Sequence, residues 1–122
     1  MPVTPSEKPL HWVGSSKKDL VELPTEVVDD FGYALGAVQF GATPAQAKPW
    51  KGEGPGVFEL VESHRGDAFR AVYTVRFPKA VYVLHCFQKK SPSGIRTSQS
   101  DIDLIHERLK LAQQHYKEHH EK

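Results

Sequence analysis

The sequence contains only one cysteine and no apolar run long enough to cross a membrane, and these two scarcities exclude several classes of protein. Cys86 has no second cysteine with which to form an intrachain disulfide. Because it lies in an apolar stretch, we predict a buried thiol in a reducing cytosol. A membrane helix needs roughly 18–20 consecutive apolar residues, and no segment approaches that length. The N-terminus lacks the basic and then apolar pattern of a signal peptide, so we expect a cytoplasmic protein with no membrane partner.

The length of 122 residues suits one domain, and the sequence shows no internal repeat. We predict a single domain over residues 1–122, with flexible ends at residues 1–9 and 117–122. Positive charge is concentrated in the middle, because residues 51–96 hold eight Lys or Arg and four Asp or Glu, whereas residues 1–50 hold four and six. A local basic patch of this kind can bind phosphate groups even though the net charge is only +1.

Apolar periodicity predicts a small α+β domain. The expected order is a strand at 10–13, a helical turn at 15–23, a helix from 24 or 25 to the stop at Gly41, strands at 57–63, 68–77 and 80–88, and a helix from about 97. Residues 41–56 are rich in Gly and Pro and are predicted to be a loop. We expect a small antiparallel sheet, made of the short N-terminal strand and a three-stranded meander, with the N-terminal and C-terminal helices on one face. Gly32 and Gly36 predict close packing of their helix on that sheet.

The pleat of the meander separates the basic residues from an apolar face, because alternate side chains point to opposite sides. If Pro78 and Lys79 form the turn, Arg70 lies opposite Phe87 and Thr74 lies opposite Val83. The first face is then apolar and packs against the helices: Phe58, Leu60, Ala71, Tyr73, Val75, Tyr82, Leu84 and Cys86. The second face carries the charges: Val57, Glu59, Val61, Ser63, Arg70, Val72, Thr74, Arg76, Val81, Val83, His85, Phe87 and Lys89. A turn of different length would exchange the faces of one strand relative to the other.

Three segments in a fixed order carry a resemblance to a known family: Val57–Leu60 (VFEL), Phe69–Tyr73 (FRAVY) and Val81–Ser91 (VYVLHCFQKKS). Together with KPWKG at 48–52 and DIDLI at 101–105, they make residues 10–116 resemble the phage-related branch of the RelE/HigB toxin family. The resemblance implies a RelE-like fold and the toxin of a type II toxin–antitoxin system. Such toxins cleave mRNA on the translating ribosome and need neither a metal nor a cofactor. Each is inhibited by a cognate antitoxin, which in HigB-type pairs is a helix-turn-helix DNA-binding protein.

The resemblance also implies roles for individual residues. Arg70 matches the strand arginine that binds the scissile phosphate, and Lys89 matches the basic position at the end of the last strand. The sequence departs from the better-studied toxins at residues 91–96, which contain neither Tyr nor His, so the general acid and base stay open. Candidates for these two roles are His85, Glu59, His64 and a lysine with a lowered pKa. Residues predicted to contact RNA are Lys51, Arg65, Lys90 and His64.

Structural roles for the same residues are also open. Arg70 could pair with Glu59 across the strands, and His85 could be a packed strand histidine. Lys89 and Lys90 could protect a strand edge.

Two further functions compete with the nuclease. The first is a ParE-type gyrase-inhibiting toxin, and the second is a catalytically inactive phage-derived binding or regulatory module, because a fold does not determine a function. His119 and His120 lie in a charged tail without the partners of a metal site, so no metal is predicted.

Overall fold

The computed structural model describes residues 7–89 and 97–121, which form five strands and three helices. The strands are β1 (Leu10–Trp12), β2 (Ala47–Pro49), β3 (Val57–His64), β4 (Asp67–Thr74) and β5 (Val81–Lys89). The helices are α1 (Ser16–Val21), α2 (Thr25–Gln39) and α3 (Gln99–His120). The predicted α+β class is therefore confirmed. None of the described helices is both long and apolar enough to span a membrane.

The strands form one mixed sheet in the order β1-β5-β4-β3-β2. Strands β3, β4 and β5 make the predicted antiparallel meander. The prediction of a purely antiparallel sheet is wrong, because β1 pairs parallel to β5, with Leu10 opposite Val81. The segment predicted as a loop contains β2, which pairs antiparallel to β3 with Lys48 opposite Glu59. With only three residues and a proline, β2 is too short to show alternation in the sequence.

Both faces of the sheet are covered by helices, so the prediction of helices on one face is wrong. Helices α1 and α2 cover one face, where the buried residues are Leu20, Val27, Phe31, Ala34, Leu35, Val38, Leu60, Phe69, Ala71, Tyr73, Val81, Val83 and Cys86. Helix α3 covers the other, where the buried residues are Trp50, Val57, Val72, Phe77, Ala80, Tyr82, Leu84, Phe87, Ile105, Leu109, Ala112 and Tyr116. The central strands are apolar on both sides, which is the pattern of a sheet buried between two layers.

A β-bulge in β5 explains why the predicted faces of that strand are partly wrong. Arg70 lies opposite Phe87 and Val72 opposite His85, as predicted, but the next residue, Tyr73, lies opposite Val83. Leu84 is therefore the extra residue, without a partner on β4. A bulge shifts every later pair by one position.

The shift exchanges the faces of β5 on the side of the bulge nearer the turn. Tyr82 and Leu84 pack under α3, while Val81 and Val83 pack under α1 and α2. Cys86, beyond the bulge, stays on the predicted face and is the buried free thiol expected from the sequence. Burial raises the pKa of this thiol to about 12, so it is inert at neutral pH.

Helices α2 and α3 differ from the predictions in two details. A Cβ atom added to Gly32 or Gly36 would meet nothing within 4 Å, so neither glycine serves close packing on the sheet. Helix α3 continues through His120, although the sequence predicts flexibility from residue 117. The last turn is held by contacts with other elements, since His120 meets His11 of β1 and its carbonyl accepts a hydrogen bond from Lys79.

Candidate functional site

A cleft of about 580 Å³ opens on the α3 side of the sheet, next to the β2 edge. It lies between the β2 region, the middle of β3 and β4, and the start of α3. Its lining residues are Lys48, Pro49, Trp50, Lys51, Glu59, Arg70, Thr97, Gln99 and Ile102. We call it the cationic cleft, because three cations and a single carboxylate line it within the part of the chain that the structure describes.

Sheet register and one anchored tryptophan bring these charges together. Lys48 and Glu59 are directly opposite each other on β2 and β3. Glu59 faces Val72 on β4, and Arg70 lies two residues from Val72, so all three charged side chains share a face. Trp50 is buried in the core under α3, and its backbone N–H donates to the carbonyl of Val57 at 2.9 Å. This anchor leaves the next residue, Lys51, exposed at the rim of the cleft.

The loop that follows Lys51 is fixed by polar contacts on both sides. The carboxylate of Glu53 lies 2.9 Å from Nδ1 of His106 on α3. The guanidinium of Arg76 donates to the carbonyls of Glu53 and Pro55. The rim of the cationic cleft is therefore tied both to α3 and to the segment after β4.

Arg70 and Glu59 form an ion pair at the base of the cationic cleft. Nη1 of Arg70 donates to Oε1 of Glu59 at 2.9 Å, and the side chains are only 16% and 12% exposed. The Nε atom of Arg70 is buried and has no hydrogen-bond partner within residues 7–89 and 97–121. The ion pair thus fixes the position of the guanidinium, a group that binds anionic oxygens well, at the base of the cationic cleft.

His85 lies in the neighbouring cleft, on the opposite side of the start of α3, where the acidic residues Asp19 and Glu22 also line the wall. Its Nε2 donates to Oδ1 of Asp101 at 2.7 Å, and its ring stacks on Phe87 with centroids 4.6 Å apart. The carboxylate fixes the tautomer with the proton on Nε2. Nδ1 is buried and is unpaired among the residues described.

The remaining predicted residues are spread more widely. Lys89 ends β5 opposite Ala68, on the same face as Arg70. Arg65 lies exposed in the β3–β4 turn with a φ of 51°. His64 lies on the face covered by α1 and α2, 3.3 Å from Glu26 and edge-on to Phe69, so it does not meet Arg70. Lys90 lies outside the described residues.

Sequence reasoning missed Lys48 and the start of α3 as parts of the cleft. Lys48 belongs to the KPWKG segment that carries part of the family resemblance, so that segment was the available signal. The pairing of β2 with β3 is what brings Lys48 opposite Glu59 in the cleft. Gln99 and Ile102 were missed because α3 was expected on the other face.

Comparisons with known proteins agree with this fold. Residues 18–110 match the model of the family described as Phage derived protein Gp49-like (DUF891). A free-state mutant of the E. coli toxin RelE has a similar structure, with a TM-score of 0.58 and 17% identity over 86% of this chain and 97% of that one. The toxin–antitoxin complex RelBE2 from Mycobacterium tuberculosis matches with a TM-score of 0.47 and 20% identity over 70% and 94%. No curated protein sequence matches significantly.

The family match and the RelE similarity together confirm two predictions made from the sequence. These are the RelE-like fold and the resemblance to the phage-related branch of the RelE/HigB family. The matched region contains β2 to β5 and the first half of α3, and therefore every residue that lines the cationic cleft.

Proposed function

The chain belongs to the Phage derived protein Gp49-like family, and on that premise we propose that it is the toxin of a type II toxin–antitoxin pair that cleaves mRNA on the translating ribosome. The cationic cleft carries this proposal, because Lys48, Lys51 and Arg70 surround one carboxylate, Glu59. The likeness in fold to the E. coli toxin RelE supports the toxin class.

Cleavage of RNA by its own 2′-hydroxyl needs three protein groups. A base accepts the 2′-OH proton as the 2′-oxygen bonds to phosphorus, cations stabilise the added negative charge, and an acid protonates the departing 5′-oxygen. The products are a 2′,3′-cyclic phosphate and a 5′-hydroxyl end, and the reaction requires no metal ion. The cationic cleft contains residue types suited to all three tasks.

We assign these tasks by position in the cationic cleft. The guanidinium of Arg70, held in position by Glu59, binds the scissile phosphate. Glu59, held by Arg70 beside that phosphate, is the general base. Lys48 and Lys51 bind the phosphate oxygens on the open side, and one of their ammonium groups protonates the 5′-oxygen.

The proposed activity gives this toxin three partners, namely mRNA, the ribosome and an antitoxin. Translated mRNA and the ribosome place its action in the cytoplasm. A cognate helix-turn-helix antitoxin, as in HigB-type pairs, is the expected inhibitor. Lys89 and Arg65 are assigned to contacts with RNA outside the cationic cleft, and Lys90 is assigned to contacts with RNA.

Controlled expression in a bacterial host tests the proposal. Wild-type protein should arrest growth, and sequencing of transcript 5′ ends should show new ends within translated regions. Arg70→Ala should restore growth, because the phosphate loses its main cation. Lys110→Ala is the matched control, since Lys110 is exposed on α3, is absent from the lining of the cationic cleft, and should stay toxic.

Arg70→Ala also leaves Glu59 without its partner, so the soluble yield and circular dichroism of the variant must match those of the wild type. Arg70→Lys, which keeps the charge but loses the planar fork, should be intermediate. Intact transcripts under wild-type expression would contradict the proposal. Induction of the DNA-damage response with intact mRNA would instead indicate a gyrase-inhibiting toxin, and normal growth would indicate an inactive binding module.

A further inference from the structure

Three histidines from opposite ends of the chain meet beside β1, away from the cationic cleft. His11 belongs to β1, and His115 and His120 lie on the last two turns of α3. One ring nitrogen from each lies within 4.8 Å of the others. The closest pair, Nε2 of His11 and Nε2 of His120, is 3.0 Å apart. Nothing in the proposed nuclease chemistry uses these residues.

From this geometry we propose that His11, His115 and His120 form a binding site for a divalent transition-metal ion of the zinc type, which fastens the end of α3 to β1. Three imidazoles with a fourth position for water form a common coordination set for Zn²⁺. Tetrahedral ligands about 2.0–2.1 Å from the metal lie roughly 3.3 Å from one another. The cluster therefore needs only a small closure to bind the ion.

A tyrosine orients one of the three ligands. The hydroxyl of Tyr82 lies 2.7 Å from Nδ1 of His115. When Nδ1–H donates to this oxygen, the lone pair of His115 is on Nε2, which is then the nitrogen that can bind a metal ion. Such a second partner is the usual companion of a metal-binding histidine, because it fixes both the tautomer and the ring plane.

Access and ligand chemistry define the class of ion. A cleft of about 300 Å³, lined in part by His11, Tyr82 and His115, leads to the cluster from solvent. Imidazole favours Zn²⁺, Cu²⁺ and Ni²⁺, whereas Mg²⁺ and Ca²⁺ favour oxygen ligands. No carboxylate belongs to the cluster among the described residues, so a hard cation does not fit.

The position of the site indicates that the metal ion would stabilise the fold by linking β1 to the end of α3. Strand β1 has only three residues, and its partner in the sheet is β5. An ion held by His11 and by two residues of α3 would link positions 11 and 120 and so close nearly the whole chain into a loop. Binding to the folded state alone raises stability by mass action.

The test uses untagged full-length protein freed of metal with a chelator. Titration calorimetry with ZnCl₂ should show one saturable site with micromolar or tighter affinity. The melting temperature should rise by roughly 5–15 °C at a hundredfold excess of free Zn²⁺ over Kd. Co²⁺ in place of Zn²⁺ should give the intense visible absorption of a four-coordinate site.

The variants His11→Gln and His120→Gln should each weaken Zn²⁺ binding at least tenfold. His106→Gln is the matched control, since His106 is an exposed histidine on α3 that pairs with Glu53. It should leave the affinity unchanged. The circular dichroism of each metal-free variant establishes that it is folded.

Two results would overturn the proposal. The first is the absence of saturable one-to-one binding by the folded wild type at 100 μM Zn²⁺, a concentration about a hundredfold above a micromolar Kd. The second is equal affinity in the wild type and in folded His11→Gln and His120→Gln. The outcome is independent of the nuclease assay, because a protein without ribonuclease activity can still bind the ion.

Discussion

At the scale of single residues, two candidate bases lie in separate clefts and have different partners. Glu59 is beside Arg70 in the cationic cleft, whereas His85 is in the neighbouring cleft with its Nε2 committed to Asp101. A general base must lie within hydrogen-bond reach of the proton that it removes. Position therefore favours Glu59, although histidine is the more frequent general base.

Paired glutamine variants test this assignment. Glu59→Gln should lower mRNA cleavage by roughly 100-fold, because the amide keeps the shape of the side chain but accepts no proton. His85→Gln should change cleavage by less than about threefold, within the range of a structural effect. The measurement is the rate of appearance of new 5′ ends after induction, normalised to protein level. A larger loss in His85→Gln than in Glu59→Gln would make His85 the base.

Glu62 is a residue whose charge should oppose folding near neutral pH. Burial, a hydrogen bond with Asp30 and the charges of Asp30 and Glu26 raise the pKa of Glu62 to about 7. A carboxyl whose pKa is raised on folding stabilises the fold fully below its unfolded pKa of 4.5, and that contribution is lost as the pH rises toward 7. The site is only partly buried, so solvent reduces the effect.

The variant Glu62→Gln should therefore be more stable than the wild type at pH 8 by about 1 kcal/mol, with the difference vanishing near pH 4.5. Urea unfolding of both proteins at a series of pH values measures this difference, in which the titrating groups that do not interact with Glu62 cancel. A constant difference across the range would show that Glu62 titrates normally.

At the scale of elements, the bulge in β5 is contacted by a buried arginine from another element. Nη1 of Arg108 on α3 donates to the carbonyl of Leu84, the bulged residue, at 2.9 Å. Nη2 donates to Oγ of Ser15, which in turn donates to Asp19 of α1. One guanidinium therefore joins α3, β5 and the start of α1. It also pairs the carbonyl of Leu84, a residue without a register partner on β4.

The variant Arg108→Met should lose roughly 2–3 kcal/mol of stability, since it leaves the carbonyl of Leu84 buried and unpaired. Lys110→Met, an exposed site on the same helix, should change stability by less than about 0.5 kcal/mol. Denaturant unfolding of the two variants makes the comparison. Equal stability of Arg108→Met and the wild type would mean that water replaces the guanidinium at the bulge.

The elements were largely predictable from the sequence, whereas their faces were only partly so. The meander, α2 and α3 follow from local periodicity. The turn predicts Thr74 opposite Val83, whereas Thr74 lies opposite Tyr82, and the bulge then restores the predicted pairing of Arg70 with Phe87. The bulge at Leu84 leaves no mark in the alternation of β5, because that strand is apolar on both sides. Its partner, Arg108, is 24 residues away along the chain. Long-range contacts of this kind decide register, and local patterns do not contain them.

The candidate site was likewise predicted from the sequence only in part. Glu59 and Arg70 were placed together by the pleat, and the structure joins them in one ion pair. Lys48 was missed because β2 is too short to recognise. His11, His115 and His120 were missed as a group, since only the parallel pairing of β1 with β5 brings His11 to the end of α3.

At the scale of the whole molecule, the sheet is enclosed by α1 and α2 on one side and by α3 on the other. Helix α3 borders both the cationic cleft and the histidine cluster, at its opposite ends. Strand β2 is an edge strand of the sheet, and Lys48 and Pro49 of this strand line the cationic cleft.

The most direct test of the central claim is cleavage of a defined mRNA by purified protein, with and without bacterial ribosomes translating that mRNA. Mapping the 5′ ends should show cuts that depend on the ribosome and carry a 5′-hydroxyl, reduced at least 100-fold by Arg70→Ala. An mRNA that stays intact on the ribosome, or equal cutting by the wild type and Arg70→Ala, would contradict the assignment of the cationic cleft as a ribonuclease site.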